Sequence, residues 1–230
     1  MYSLTVVVPF YNEEKFLSES LNRLLDTNVF DEILLVDDSS TDESSTIGKE
    51  FEANNEKIKY FRTSQNNGKG SALGLAFSHI TSTHVVIHDA DLEYFPIDII
   101  DMKEESIKNP DSLILGSRFI GKKDRTNIYL RTFIANKVMS LFFSVINFYR
   151  ISDVATCYKL MPKNFVEKIE LKEKGFSIEI EMLTKFLKHN RSVFEIPISY
   201  SGRSYEEGKK IKTSDGFLYL YNTLRYRFMN

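Results

Sequence analysis

The segment Thr83-His84-Val85-Val86-Ile87-His88-Asp89-Ala90-Asp91 decides the fold class, because an apolar run ends here in two carboxylates one residue apart. The run predicts a strand over Val85–His88, and the carboxyl end of a strand is where an α/β enzyme holds a ligand. Alternate residues of an extended chain share a face, so Asp89 and Asp91 point at one cation. Their hard oxygens suit Mg²⁺ or Mn²⁺. The alternative interpretation is that Asp91 caps a turn before Pro96.

Upstream of this segment, strand and helix patterns alternate. Short aliphatic runs predict strands at Leu4–Pro9, Glu32–Val36 and Ile58–Arg62. Apolar residues at helical spacing predict a helix between the first two strands and another over Gly70–Ile80. The predicted fold class is therefore α/β, a Rossmann-like, mainly parallel sheet flanked by helices, with ligands at the carboxyl ends of the strands.

Beyond Asp91 the alternation weakens. The remaining predicted elements are a strand at Ser112–Gly116, helices at 128–149 and Ile178–His189, and a strand at Phe194–Tyr200. No repeat or low-complexity linker interrupts the 230 residues, so we expect one domain.

The composition excludes several classes of protein. With 42% hydrophobic residues and a net charge of -2, the chain has a full core and no basic footprint for nucleic acid. Cys157 is the single cysteine, which excludes an intramolecular disulfide, and the four histidines give no zinc spacing. Polar residues break the region 128–149, so it falls short of the roughly 20 apolar residues of a membrane span. The amino terminus lacks the basic flank of a signal peptide, and we expect a cytoplasmic protein.

Two further strands end in polar residues. Val8-Pro9-Phe10-Tyr11-Asn12-Glu13-Glu14 closes the first strand, and Val36-Asp37-Asp38-Ser39-Ser40-Thr41-Asp42 closes the second. Either run alone is compatible with ordinary turn chemistry, since Asn, Asp and Ser cap turns and helices. Together with the carboxylate pair, they predict one crevice that contacts a base, a ribose and a metal-bound diphosphate.

The chain resembles the family 2 glycosyltransferases with the GT-A fold, and within them the branch of dolichyl-phosphate mannose and glucose synthases. The resemblance extends over nearly the whole chain. It rests on an ordered series of motifs: VVPFYNEE, ILLVDDSSTD, NNGKGSAL, IHDADLE, LGSRF, SDVATCYKL, GFSIEIE and SYSGRSYEEGKK. It implies a nucleotide-sugar-binding half (1–116), an acceptor-binding half (117–212) and an amphipathic C-terminal helix (213–230).

Carried over residue by residue, the resemblance implies roles for positions of this chain. The positions that would bind the nucleotide-sugar donor are Pro9, Tyr11, Glu13 and Asp38, with Lys210 as a further cation for phosphate. The positions that would hold the metal are Asp89 and Asp91, with Glu93 completing the coordination. The positions that would contact the reacting phosphates or the acceptor are Arg118, Arg131, Arg203 and Asp153. An arginine fork binds phosphate oxygens in pairs, which suits this role.

Alternatives remain open for two of these positions. Paired lysines such as Lys209 and Lys210 are usually solvated. Asp153 is equally compatible with a helix cap ahead of Tyr158.

The acceptor decides the mechanism. A hydroxyl acceptor needs a general base, whereas a phosphate monoester is already anionic at neutral pH. The base candidates are Glu179, Glu181 and Asp153, and the two glutamates point about 200° apart on the predicted helix, so at most one of them faces the site. The absence of a clear base motif favours a phosphate acceptor. Together with the resemblance, this implies a metal-dependent, inverting transfer of a hexose from a GDP-mannose or UDP-glucose type donor to polyprenyl or dolichyl phosphate.

Other functions remain as alternatives. Within the same class, the chain would transfer sugar to a glycan hydroxyl without processive polymerisation. From other classes, it would be a sugar nucleotidyltransferase or a nucleotide-binding module. The glycine-free run VVVPFYNEE argues against the nucleotidyltransferase.

A lipid acceptor requires contact with a membrane. The segment Phe217–Phe228 combines aromatic residues with arginines, a composition typical of an interfacial helix. The alternative is a helix packed on the sheet. Residues 128–149 would add a second amphipathic surface or bind a membrane-protein partner, and we expect a peripheral protein on the cytosolic membrane face.

Overall fold

Strands and helices alternate along most of the chain. The structure is a computed structural model that describes residues 1–127, 129–175, 177–203 and 213–229. The elements follow in this order: β1 Leu4–Phe10, α1 Leu17–Thr27, β2 Glu32–Asp37, α2 Ser44–Asn54, β3 Ile58–Arg62, α3 Lys69–Phe77, β4 His84–Ile87, α4 Asp98–Lys108, β5 Leu113–Ser117, β6 Arg125–Thr126, α5 Leu130–Asn147, β7 Lys159–Pro162, α6 Lys163–Val166, α7 Ile178–His189, β8 Val193–Pro197, β9 Tyr200–Ser201 and α8 Thr213–Phe228. Within these ranges, seven strands form one sheet in the order β3-β2-β1-β4-β7-β5-β8, and β6 pairs with β9.

The first four strands form the parallel half of the sheet. β1 is buried along its whole length, with Val7 in one core layer and Val6 and Val8 in the other. Apolar residues on both faces are what a parallel strand covered by helices requires, and they produce the continuous aliphatic run in the sequence. This half confirms the predicted α/β fold and brings the carboxyl ends of β1, β2 and β4 to one edge.

The second half departs from the sequence prediction. β7 lies antiparallel between β4 and β5, and its short span carries a lysine and a proline that hide it from a periodicity search. The strand predicted at Phe194–Tyr200 is instead two elements, β8 and β9. β8 ends at Pro197, which has no N–H to continue a ladder. The helix α2 is not predicted either, because its buried residues are Ser44 and Gly48 and its two core-facing apolar residues, Ile47 and Phe51, are only partly buried.

α5 has the reverse of the usual helix pattern, because its polar side faces the protein. Asn136, Ser140 and Asn147 are buried, whereas Leu141 is 66% exposed and Val145 is 61% exposed. α8 packs against α5 and α7, with Tyr226 buried at that contact. In the described part of the chain, no helix is long and apolar enough to cross a membrane.

Candidate active site

A pocket of about 1140 Å³ lies at the carboxyl ends of β1, β2 and β4 and continues between α5 and α8. We call its polar part the strand-end crevice and its apolar part the helix groove. The predicted site residues on its wall are Pro9, Tyr11, Glu13, Asp38, Asp89, Asp91, Glu93, Arg118, Arg131 and Arg203. Asp153 does not line the pocket, and Lys209 and Lys210 lie outside the described residues.

Each of the three polar strand ends turns through a left-handed residue. Asn12 follows β1 with φ 52°, Ser39 follows β2 with φ 62°, and Leu92 follows β4 with φ 61°. Leucine rarely adopts this region, and such backbone strain is concentrated at functional sites. The side chains at these turns that line the strand-end crevice are Tyr11, Glu13, Asp38, Asp89, Asp91 and Glu93.

Asp38 shapes the loop that enters α3. Its Oδ1 accepts hydrogen bonds from the Thr63 hydroxyl at 3.0 Å and the Asn67 N–H at 3.2 Å, and its Oδ2 accepts from the Gly68 N–H at 2.6 Å. Gly68 has φ 89°, and a Cβ there would lie 2.4 Å from the carbonyl oxygen of Lys174. Only glycine fits at position 68. The three hydrogen bonds to Asp38 hold this loop at one side of the crevice.

The neighbouring Asp37 points away from the pocket into a structural cluster. Its carboxylate accepts from the Tyr60 hydroxyl and the Arg62 guanidinium, each at 2.7 Å, and from the Ser40 N–H at 2.7 Å. Burial alone would raise the pKa of Asp37, but the hydrogen bonds from Ser45, Ser40 and Tyr60 outweigh it and lower that pKa below its usual value.

The carboxylates after β4 are held by cationic side chains. Asp91 Oδ1 accepts from the Glu93 N–H at 3.1 Å, which is the turn cap of the alternative interpretation, while Oδ2 accepts from Arg203 at 3.0 Å. Glu93 accepts from the Tyr200 hydroxyl at 2.7 Å and the Arg203 N–H at 2.9 Å. Among the described residues, no three His, Cys, Asp or Glu side chains are already grouped as a metal centre.

The electrostatics of this cluster nevertheless fit a divalent cation. Burial, followed by the charges of Glu93 and Asp89, raises the pKa of Asp91 to about 7, and Arg203 only partly offsets this rise. The three carboxylates Asp89, Asp91 and Glu93 are paired here with two cationic side chains, Lys69 and Arg203. Carboxylate oxygens are the ligands that Mg²⁺ and Mn²⁺ prefer, so Asp89, Asp91 and Glu93 are a suitable donor set.

Lys69 lies on the pocket wall at the start of α3 and is not among the predicted site residues. Its ammonium is 2.7 Å from Asp89 and 2.9 Å from Glu179, and Glu179 is also paired with the fully buried Lys159. Burial alone would lower the pKa of Lys69, but Asp89 and Glu179 hold it well above its usual value. The motif NNGKGSAL contains the signal that could have identified this residue, a lysine between two glycines at the start of a helix.

Arg118 and Asp153 form a buried ion pair. Asp153 accepts from Nε of Arg118 at 2.7 Å, from Nη2 at 2.8 Å and from the backbone N–H at 3.0 Å. Asp153 therefore lies behind Arg118 and orients it, which changes the interpretation of Asp153 as a residue beside the acceptor.

Two more predicted arginines reach the pocket differently. Arg203 bridges the crevice, 3.3 Å from Glu13 and 3.0 Å from Asp91. Arg131 is exposed in the first turn of α5, at the mouth of the helix groove.

The two glutamates of α7 have different roles, as their spacing predicted. Glu179 lines the pocket and Glu181 does not. Glu181 accepts from the N–H groups of Lys172 and Glu173 and from the side chain of Lys185, and so holds the loop before α7.

The helix groove is apolar. Val138 and Met139 of α5 line one side, and Phe217 and Leu220 of α8 line the other. Part of α8 packs against α5 and α7, rather than on the sheet as in the alternative interpretation, while Phe217 is 75% exposed.

Comparison with known proteins gives consistent similarities. Residues 5–170 match the model of glycosyl transferase family 2. The chain is 29% identical over 226 residues to a dolichol-phosphate mannosyltransferase of Pyrococcus furiosus. The match covers 96% of this chain and 63% of that protein, so the chain spans less than two thirds of that relative. It is 26% identical to a UDP-N-acetylglucosamine–dolichyl-phosphate N-acetylglucosaminyltransferase of Methanococcus voltae, covering 95% of this chain and 94% of that protein.

Among solved structures, the chain is similar to glucosyl-3-phosphoglycerate synthase of Mycobacterium tuberculosis in complex with Mn²⁺, UDP and glucosyl-3-phosphoglycerate. The TM-score is 0.74 at 14% identity, covering 98% of this chain and 80% of that one. At this identity the likeness establishes the fold alone.

Proposed function

The chain belongs to glycosyl transferase family 2, and on that premise we propose that it transfers a hexose from a nucleotide diphosphate sugar to a polyprenyl or dolichyl phosphate at a membrane surface. It is a glycosyltransferase with the GT-A fold that the sequence predicted. One observation carries the proposal: a single pocket joins the polar strand-end crevice to the apolar helix groove. Such a pocket suits a polar donor at one end and a lipid-linked acceptor at the other.

The strand-end crevice supports binding of the donor. Asp38 fixes the loop through Gly68 on one side, and Asp89 and Asp91 present carboxylates on the other. A divalent cation, Mg²⁺ or Mn²⁺, held by these aspartates and Glu93 would neutralise the leaving diphosphate. The two relatives named for mannose and N-acetylglucosamine transfer leave the choice of sugar to experiment.

The cations around the pocket support a phosphate acceptor. Arg118 is oriented by Asp153, and Arg131 stands at the mouth of the helix groove. A phosphate monoester needs no proton removed before it attacks the sugar. The base candidates are all engaged: Asp153 by Arg118, Glu179 by two lysines, and Glu181 by a loop backbone and Lys185. Because each candidate base is already paired with another group, none is available to remove a proton from a glycan hydroxyl, and transfer to such an acceptor is disfavoured.

The exposed apolar side of α5 supports peripheral binding to the cytosolic face of a membrane. α5 carries Arg131 and Lys137 and no acidic residue, and α8 has Arg225 and Arg227 in its last turn. Apolar side chains edged by basic ones suit the boundary between acyl chains and anionic headgroups. We infer that the helix groove opens toward the lipid surface, so that the phosphate of a lipid acceptor reaches Arg131 and Arg118.

A panel of radiolabelled nucleotide sugars, assayed with a polyprenyl phosphate and either Mn²⁺ or Mg²⁺, tests the proposal. The expected product is chloroform-soluble and labile to mild acid, and its formation is abolished by EDTA. Asp91→Asn should lower the rate by about 30-fold or more, since electrostatic stabilisation of a leaving group contributes 2 kcal/mol or more. The matched control is Asp101→Asn, which removes an exposed carboxylate paired with Lys123. Label that enters only a water-soluble glycan, or turnover unaffected by EDTA, would overturn the proposal.

A further inference from the structure

Four charges alternate in a row that runs from the core to the strand-end crevice: Lys159, Glu179, Lys69 and Asp89. The ammonium of Lys159 is fully buried and pairs with Glu179, whose side chain is 4% exposed. Lys69 pairs with both Glu179 and Asp89, at 2.9 and 2.7 Å. The row ends at a carboxylate of the proposed cation site.

This arrangement is costly for the fold. Removing ammonium and carboxylate groups from water opposes folding unless each is paired. Lys69 is also the first residue of α3, where the helix dipole disfavours a positive charge. Both disadvantages are offset by the two carboxylates on either side of Lys69, and one of these, Asp89, would also be a ligand of the donor's cation.

We propose that Lys69 is a place-holding cation, whose ammonium neutralises Asp89 until a divalent cation binds there, and that Glu179 then retains it beside the pocket. The inference rests on the proposed function, because it assumes a cation held by Asp89 and Asp91. Lys69 has three N–H donors and two carboxylate partners, so it can give up Asp89 without becoming an unpaired buried charge. Glu179 is a positioning residue in this scheme, and Lys159 fixes it from the opposite side.

The place-holding role makes Lys69 a competitor of the divalent cation. Binding of Mn²⁺ at Asp89 must break an ion pair that already exists, whereas a variant without the ammonium has no such pair to break. Lys69→Met should therefore bind Mn²⁺ about tenfold more tightly in the absence of nucleotide, the order expected for one charge-assisted hydrogen bond. Lys69→Arg keeps the charge and should retain the wild-type affinity.

Titration of the whole chain with Mn²⁺, followed by the electron paramagnetic resonance signal of the free ion, measures these affinities directly. The matched control is Lys59→Met, which removes the ammonium from Glu32 at the opposite ends of the strands and changes the net charge equally. The control should bind Mn²⁺ as wild type does. Circular dichroism establishes that each variant is folded.

A second variant predicts the opposite change. The double variant Lys159→Met with Glu179→Gln removes the two inner charges of the row together. Asp89 is then the one carboxylate of the row that still pairs with Lys69. Its Mn²⁺ affinity should fall below that of wild type. If wild type binds Mn²⁺ but Lys69→Met binds no more tightly, the inference is overturned and the proposed function stands. If wild type binds no Mn²⁺ even with UDP or GDP present, the cation site of the proposed function is wrong and the inference falls with it.

Discussion

Asp153 accepts three hydrogen bonds from Arg118, two from its guanidinium and one from its backbone N–H. The side chain of Asp153 is fully buried and that of Arg118 is 8% exposed. The guanidinium also lies over the ring of Tyr200, 5.0 Å from its centroid. The pair thus fixes one arginine of the pocket wall, and removal of the carboxylate would leave a buried charge without its partner.

Asp153→Asn should therefore destabilise the protein by about 3–5 kcal/mol, the cost of breaking a buried ion pair from one side. Urea unfolding measures the change. The matched control is Asp101→Asn, whose half-exposed pair with Lys123 should contribute no more than about 1 kcal/mol. Equal stability of Asp153→Asn and wild type would show that solvent, rather than Asp153, compensates the charge of Arg118.

The parallel half of the fold was predictable because its signals are local. The strand Ile58–Arg62 and the helix Ile178–His189 have the predicted bounds, since each carries its own apolar period. β7 was missed because its burial depends on a distant partner: Lys159 is fully buried in the strand through its ion pair with Glu179, 20 positions away. No window of sequence records such a pairing.

The site was predictable to the extent that it follows the strand ends. The polar runs after β1, β2 and β4 meet in one crevice because parallel strands end at the same edge. The pairings across the crevice were not predictable, since Arg203 reaches Asp91 from 112 positions away. The resemblance named Arg118 and Asp153 separately, and the fold shows that they form one unit.

Asp38→Ala should weaken nucleotide binding, because the loop through Gly68 would lose the carboxylate that holds three of its donors. We expect a loss of at least about 1.5 kcal/mol of binding free energy, the contribution of one hydrogen bond to a charged group. Calorimetry with UDP and GDP in the presence of Mn²⁺ measures it. Asp31→Ala is the control, since Asp31 accepts the Leu4 N–H at 2.7 Å at the opposite ends of the strands. Unchanged affinity for both nucleotides would count against a role of Asp38 in the donor site.

Asp37 should make stability depend on pH in the acid range. Its pKa is lowered in the folded protein, so its contribution is present above the unfolded value of about 3.9 and is lost as the pH falls below it. Asp37→Asn should therefore be less stable than wild type at pH 7, and the difference should shrink toward pH 3. Urea unfolding of both proteins across this range measures the difference. A constant difference would indicate that Asp37 contributes by packing alone.

The apolar side of α5 and α8 should bind anionic vesicles, and point variants test this better than truncation. Removal of α8 would also remove Tyr226, whose hydroxyl donates to Glu173 at 2.8 Å, and would disturb the protein itself. Leu141→Ser with Val145→Ser changes only side chains that are more than half exposed. Loss of their burial in lipid should weaken membrane binding by about 2 kcal/mol or more.

We call the exposed apolar side of α5 and α8, which includes Leu141 and Val145, the patch. Co-sedimentation with vesicles rich in anionic lipid measures its binding. Added salt should weaken this binding for wild type, because the basic residues beside the patch contribute to it. The matched control is Ile97→Ser with Ile107→Ser; Ile97 precedes α4 and Ile107 lies in its last turn, and the two side chains are 58% and 53% exposed outside the patch. The patch variant should lose activity toward a long-chain acceptor in vesicles and keep it toward a short, water-soluble analogue. Equal loss on both acceptors would mean that α5 supports the pocket itself. Equal vesicle binding by the patch and control variants would place the membrane contact elsewhere on the protein.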